Sequence, residues 1–464
     1  MTIGIGVSKK QEGYIKSSLL ILIAFATAFF PRIISSIGAP SPINFVHFAM
    51  VPLACGIVIT TTRVKNKSQI SVVKSIIIAV FILLAVMTAS ALLNQAGVIN
   101  IFLALMLLGE PFILLVAILC IPVSSKNIKR LRIWITGFGC INIFLALAQH
   151  LLIQVGILKV TDMTREDNVQ GVFYLSGAGH VVSASVSMSF GLYYFVSAKT
   201  APMWLRCSVL GAAFMQLIFA DAKQVLMVWL VAWLILILTK LKDIKVVIQY
   251  AIAALVVGFV LFWCIENLEA FRAFKTWMRP EIYGPNGEAT LMKTAAFRII
   301  PSYYKSLFNW LLGLGPGHTI GRLGGWMLKD YGDLLKPLGA TIHPASEAVW
   351  SVWRGHWLDS SFFSPLWGWA AMWGDFGFLG LATYLYLCSI VWRRVCLDDF
   401  SKFLMLTVMI FGCIFTQMEE PGFMLSVASL IGLRWQDLKM MKQLRFQNTA
   451  YLGSNTNAEQ VRNL

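Results

Sequence analysis

The sequence predicts an all-α polytopic membrane protein with about twelve transmembrane helices and one large helical extracytoplasmic loop. Three observations carry this prediction. Apolar residues make up 58% of the 464 residues and charged residues only 13%, beyond what a soluble domain tolerates. Apolar runs of about 17 to 25 residues recur, the length that crosses a hydrocarbon core of about 30 Å, and such runs must be helices because lipid offers the backbone no other partner. Basic residues recur at every second connection.

The spans fall near residues 17–36, 42–62, 75–93, 99–122, 132–155, 178–197, 203–220, 224–240, 246–264, 365–391, 402–418 and 422–436. Lys9, Lys10 and Lys16 precede the first span, Arg63, Lys65 and Lys67 follow the second, and Lys126, Lys129, Arg130 and Arg132 follow the fourth. The series continues with Lys199 and Arg206, with Lys240, Lys242 and Lys245, with Arg393, Arg394 and Lys402, and with Lys439, Lys442 and Arg445. Lys and Arg in short loops stay in the cytoplasm, so both termini are expected there, in a multi-pass protein of the cytoplasmic membrane. The net charge of +16 is mostly this topological signal and implies no nucleic-acid partner. SSIGAPS resembles a signal cleavage site, but an uncleaved first span preserves the alternation. Residues 1–264 then hold nine helices, 265–364 form the extracytoplasmic loop domain, 365–440 hold three more helices, and 441–464 are a polar cytoplasmic tail expected to be unstructured.

The loop carries ten Lys or Arg and eight Asp or Glu, compatible with its side because long segments cross largely regardless of charge. Inside it, GLGPGHTIG has the spacing of a phosphate cradle but neither a Gly-Lys-Ser/Thr ending nor a preceding strand. Its side of the membrane excludes cytoplasmic ATP and leaves a lipid pyrophosphate as the phosphate it could meet; a tight structural turn is the alternative. The eight cysteines all sit in spans or near the inner face, so no disulfide framework is expected in the loop. His318, His343 and His356 have no short-spaced ligand pair, so no metal is expected. Nine of the sixteen tryptophans lie between Trp277 and Trp373, either as an interfacial belt or as faces for sugar rings. Glu110, in the middle of a span, must be protonated or paired.

In order, TREDNVQGVFYLSGAGH supplies Arg165, Gly171 and Phe173; FADAKQVL supplies Lys223; AAFRIIPSYYKSLFNWLLGLGPG supplies Arg298, Gly313, Gly315 and Gly317; and WGDFGFLG supplies Asp375, Gly377 and Gly380. Over residues 160 to 385 this order resembles the O-antigen ligase and O-antigen polymerase superfamily of membrane glycosyltransferases. It departs from the family at Lys223, where Arg is usual, in lacking a Pro-Asn pair after the first motif, and in reading DSSFFSP where His-Asn is common. The resemblance implies a fold of the GT-C type and transfer of a glycan from undecaprenyl pyrophosphate outside the cytoplasmic membrane. No cofactor is implied.

A departing pyrophosphate needs fixed positive charge where its own charge develops, and Arg is suited to it by bidentate contact. The resemblance gives this role to Arg165, Lys223 and Arg298, with the Gly315 and Gly317 backbone approaching the pyrophosphate. Each cation also has a structural alternative: Arg165 pairing with Glu166 or Asp167, Lys223 pairing with Asp221, and Arg298 packing on the loop surface. Arg272, Arg279, Arg322 and Arg354 are further cations of the loop or its borders. For the proton of the attacking hydroxyl the order of choice is His356, His343 and His318, with Asp359 and Glu347 as carboxylate alternatives. A leaving group neutralised in this way requires no metal. The first functional reading is a polymerase of lipid-linked oligosaccharide repeats, with an acceptor glycan as second substrate. The alternatives are a ligase to a lipid core or other acceptor, and a transporter or flippase of lipid-linked glycan.

Overall fold

The structure, a computed structural model, describes residues 16–62, 66–122, 126–158, 164–174, 178–240, 244–268, 279–355 and 362–462, with single positions at 160, 271 and 275. The described residues are helical or irregular, with no strand among them. Among the described residues, five helices are long and apolar enough to cross a membrane: Ser41–Thr61, Lys67–Asn94, Val98–Cys120, Lys126–Gln154 and Gly368–Arg394. Ser17–Phe29, Met203–Phe219, Lys223–Leu238 and Ala251–Asn267 are shorter apolar helices.

The first expected span is two helices. Helix α1 (Ser17–Phe29) stops at Phe30, whose helical continuation the following proline disfavours, and α2 (Pro31–Ser36) starts with Pro31 at its first position. The break leaves Arg32 at the start of a short separate helix. Helix α3 (His47–Thr61) is followed by α4 (Lys67–Asn94), which Asn66 caps by accepting the Ser68 N–H at 3.0 Å. Helix α5 (Val98–Cys120) is almost wholly buried and packs against α3, α4 and the last helix. Glu110 at its middle is paired: its carboxylate meets His47 Nδ1 at 2.8 Å. A buried carboxyl group left without a partner would cost several kcal/mol, roughly, so this contact fixes α3 against α5.

Helices α6 (Lys126–Gln154), α7 (Gly179–Ser197), α8 (Met203–Phe219), α9 (Lys223–Leu238) and α10 (Ile244–Asn267) complete the first part. After them come short helices, among which α11 (Glu288–Lys293), α12 (Ala295–Ile299), α13 (Phe308–Leu312) and α14 (Pro344–Trp350) matter below. Helices α15 (Gly368–Arg394), α16 (Asp399–Phe411) and α17 (Pro421–Arg462) close the chain. Helix α17 runs on into the polar segment expected to be unstructured, through a sequence of Lys, Met, Gln, Leu and Arg that sustains helix. Several basic residues make structural ion pairs. Arg434 Nε meets Asp398 at 2.5 Å, Lys240 meets Asp399 at 2.6 Å, and Arg132 pairs with Asp437.

The segment 279–367 has a small cluster of its own, Ile282, Ala289, Met292 and Phe363, and is also fastened to the bundle. Ala295, Ala296, Ile300, Leu314, Ile320, Ala345 and Val349 pack on Ala370, Ala371 and Trp373 of α15. Lys293 Nζ donates to the carbonyl of Ser364 at 2.7 Å and to that of Ile414, while its own carbonyl accepts Trp367 Nε1–H at 3.0 Å. Burial pushes the Lys293 ammonium down to about 7.

Candidate functional site

The glycine loop folds onto a break in α15. Gly377 holds φ 64° inside that helix, and Gly313, Gly315 and Gly317 hold φ 68°, 106° and 72°. A side chain at Gly313 would lie 2.4 Å from the Asp375 backbone, and one at Gly377 2.4 Å from Leu311, so both glycines are required by close approach as well as by φ. The two motifs thus meet. Leu314 N–H donates to the Gly374 carbonyl at 2.8 Å and Gly315 N–H to the Asp375 carbonyl at 3.0 Å.

The loop is an anion cradle, and the anion is the protein's own. Asp375 Oδ2 accepts the Gly317 N–H at 2.8 Å, and Oδ1 accepts the Thr319 N–H at 2.9 Å and the Thr319 hydroxyl at 2.6 Å. Gly315 and Gly317, expected to face a pyrophosphate, here spend their N–H groups on Asp375. Anion capture by successive backbone N–H groups is the chemistry that the glycine spacing suggested.

His318 is a structural residue in this arrangement. Its Nδ1–H donates to the Leu314 carbonyl at 2.7 Å, so the neutral ring accepts at Nε2 from the Thr341 hydroxyl at 2.8 Å. Thr341 Oγ1 in turn accepts the Gly97 N–H at 3.0 Å. Burial pushes the His318 imidazole down to about 4, so it stays neutral and keeps this chain of bonds intact. Asn100 completes the tie, donating to the carbonyls of Pro316 at 2.8 Å and Thr341 at 2.9 Å.

A second constellation lies beside this junction. Arg32 from α2 and Arg322 both stand over the indole of Trp326, at 5.4 Å and 4.9 Å from the ring centroid. Trp326 belongs to a π-helical turn, Leu323–Met327. The three residues line a cavity of about 30 Å³ with Pro31, Asn44, His47, Phe173 and Glu420. Arg322 pairs with Glu420 through its guanidinium and gives its backbone N–H to Glu419 at 2.6 Å. Burial first, and then the charge of Arg32, push the Arg322 guanidinium down to about 9, which leaves it charged at neutral pH. Arg32 makes no hydrogen bond or ion pair among the described residues, although Asp330 lies within electrostatic reach. Two guanidinium groups thus share one indole, and among the described residues one of them has no acceptor.

Glu419 backs this site. Burial first, with the nearby Asp375 charge adding to it, pushes its carboxyl up to about 8, against the Arg322 N–H bond. The folded carboxyl therefore holds its proton more tightly than the unfolded one at 4.5, and this contribution to stability is complete below 4.5 and lost as the pH rises through 8. Glu419→Gln keeps the acceptor for Arg322 N–H and removes the titration. Thermal unfolding of this variant in detergent is expected to lose part of the wild-type decline between those pH values; an unchanged decline refutes the assignment.

The other expected residues are dispersed. Arg298 is exposed and donates to the Leu291 carbonyl at 2.6 Å. Arg165 is exposed at the start of a turn. Lys223 pairs with Asp221, a residue at φ 49°, next to a group in which His180 Nε2 meets Asp167 at 3.3 Å. The segments bearing Arg165 and Lys223 are neighbours, since Glu166 and Asp167 act electrostatically on Asp221. His343 caps α14, accepting the Ala345 N–H at Nδ1, and its ring lies 5.4 Å from that of His318. Glu347 is exposed and paired with Lys329 and Arg354. His356 and Asp359 lie outside the described residues. Among the described residues no three His, Cys, Asp or Glu side chains gather as a metal site.

Sequence reasoning missed Arg32, and it placed Arg322 among the lesser cations. The one available signal was an Arg following Pro at the end of an apolar run, where a snorkelling side chain reads the same way. Compared with known families and with curated proteins, the chain matches no family model and no curated protein.

Proposed function

We propose that this chain is a glycosyltransferase of the cytoplasmic membrane that polymerises oligosaccharide repeats carried on a polyprenyl pyrophosphate. In this reading it has about twelve spans in a GT-C type arrangement, both termini in the cytoplasm, and its site on the opposite face. The observation that carries it is the Arg32–Trp326–Arg322 cluster, which offers fixed positive charge beside Phe173 of the first motif. The acceptor hydroxyl oxygen bonds to the anomeric carbon, the sugar–phosphate C–O bond breaks, and its electron pair leaves on the pyrophosphate. Paired guanidinium groups stabilise that developing charge.

His343 is the described candidate for the proton. Burial, and then the charge of Lys305, push its imidazole down, so the ring is neutral at neutral pH; with Nδ1 accepting the Ala345 N–H its proton sits on Nε2, and it takes up a further proton only by releasing the cap at Nδ1. His356 and Asp359 keep the places that the sequence gives them, and Arg165 and Lys223 form a second cationic station along the glycan's course.

The test is the full chain reconstituted in vesicles with a polyprenyl-pyrophosphate oligosaccharide and a strong chelator. A ladder of elongated glycans, with release of polyprenyl pyrophosphate, is expected. Transfer of one glycan to a different acceptor, without a ladder, assigns the chain as a ligase. Activity lost in chelator and restored by a divalent metal overturns the metal-free scheme.

A further inference from the structure

Helix α13 is inside out. It is preceded by exposed Lys305 and Ser306, and around it Leu307, Phe308, Trp310 and Leu311 are 84%, 63%, 41% and 44% exposed. Asn309, its one polar residue, is 2% exposed. In water the polarity would run the other way, because each exposed large apolar side chain forgoes about 1.5 to 3 kcal/mol of burial.

The inward polar side is fully used. Asn309 Oδ1 accepts the N–H groups of Lys305 at 3.1 Å and Ser306 at 3.0 Å, and its Nδ2 donates to Asn94 Oδ1 and the Gly313 carbonyl, both at 2.9 Å. Asn94 donates to the Gly313 carbonyl at 3.0 Å, and Ser90 Oγ reaches the carbonyls of Leu312 and, at 2.8 Å, Asp375. These bonds set the depth of α13. Residues 76–93 of α4 are an uninterrupted run without a charge, and at about 1.5 Å per residue they span about 27 Å, close to a hydrocarbon thickness. Ser90 lies within that run, so α13 is tied below its end.

The apolar face also continues into surfaces of the spanning helices. Trp310 stacks on Phe378 of α15, with ring centroids 6.4 Å apart, and Phe378 is itself exposed. Leu92 and Leu93 at the end of α4 are exposed as well.

We infer that α13 is a re-entrant element whose face of Leu307, Phe308, Trp310 and Leu311 is immersed in the acyl chains of the surrounding bilayer. Backbone groups at both its ends are satisfied, the Lys305 and Ser306 N–H groups by Asn309 and the Leu312 and Gly313 carbonyls by Ser90 and Asn94 of α4, which is the condition for irregular chain at membrane depth. The glycine loop starts at Gly313, the residue after α13, and so enters the site from the lipid side. This inference rests on α4 and α15 crossing the membrane and is independent of glycan transfer.

The test is photo-crosslinking of the full chain in vesicles of acyl-deuterated phospholipid, with benzoylphenylalanine placed singly at Phe308, Leu311, Leu92 and, as an aqueous control, Glu288. Deuterated lipid adducts at Phe308 and Leu311 are expected at the level of Leu92 and roughly tenfold above Glu288. Adducts at Leu92 without adducts at both α13 positions overturn the inference, as does adduct mass on protein or on an isoprenoid carrier instead of phospholipid. Thermal unfolding of each labelled variant confirms that the exposed positions tolerate the probe, so a missing adduct reports position and not misfolding.

Discussion

Arg32→Ala and Arg322→Ala are each expected to lower glycan transfer by roughly 10²-fold or more, because each removes fixed charge where the pyrophosphate charge develops. Their side effects differ. Among the described residues Arg32 has no ion-pair partner to abandon, so its Ala variant should keep wild-type membrane levels. Arg322→Ala leaves Glu420 without its guanidinium and loosens the Trp326 turn, and it should lose stability as well as activity. Arg32→Lys restores the charge without the fork and should recover part of the rate. Arg298→Ala serves as the comparison, since that side chain is exposed and bonded to a backbone carbonyl. Transfer assays on vesicles holding equal amounts of each variant decide the matter. Wild-type rates in Arg32→Ala together with loss in Arg298→Ala would move the leaving-group site away from Trp326.

The second large effect is expected at Asp375. Removing its carboxylate in Asp375→Ala leaves the Gly317 N–H and the Thr319 N–H buried without an acceptor, at a cost of about 1 to 3 kcal/mol for each donor, and leaves the Thr319 hydroxyl only the Ala371 carbonyl at 3.4 Å. The loop should detach from the helix break and expose itself to protease, and thermal unfolding in detergent should shift to lower temperature. Asp375→Asn keeps one acceptor oxygen but turns an amide toward a second donor, so an intermediate shift is expected. The order wild type, Asn, Ala in thermal unfolding supports the cradle. An Asn variant that unfolds like wild type but transfers no glycan would instead assign Asp375 to the chemistry.

Single residues show how far sequence reasoning reaches. Glu110 had to be protonated or paired, because a span offers a charge no water, and His47 is its partner. The glycine spacing left open a phosphate cradle or a tight structural turn, and the positive φ of Gly313, Gly315 and Gly317 is a local property of the chain. The identity of the anion is not local: Asp375 is brought to Gly317 from 58 positions away. Arg298 and Lys223 were chosen by their place in a motif, and the structure gives one a carbonyl and the other Asp221.

By itself, then, the sequence determined the helical class and the presence of apolar helices long enough to cross a membrane, because hydropathy and period act within one segment. Only the tertiary structure decided that Arg32 and Arg322 share one indole and that the cradle closes on Asp375. Each of these joins residues far apart in the chain. Their pairing depends on which buried charges and donors find partners when the helices pack, and an unpaired one costs more than any local preference supplies.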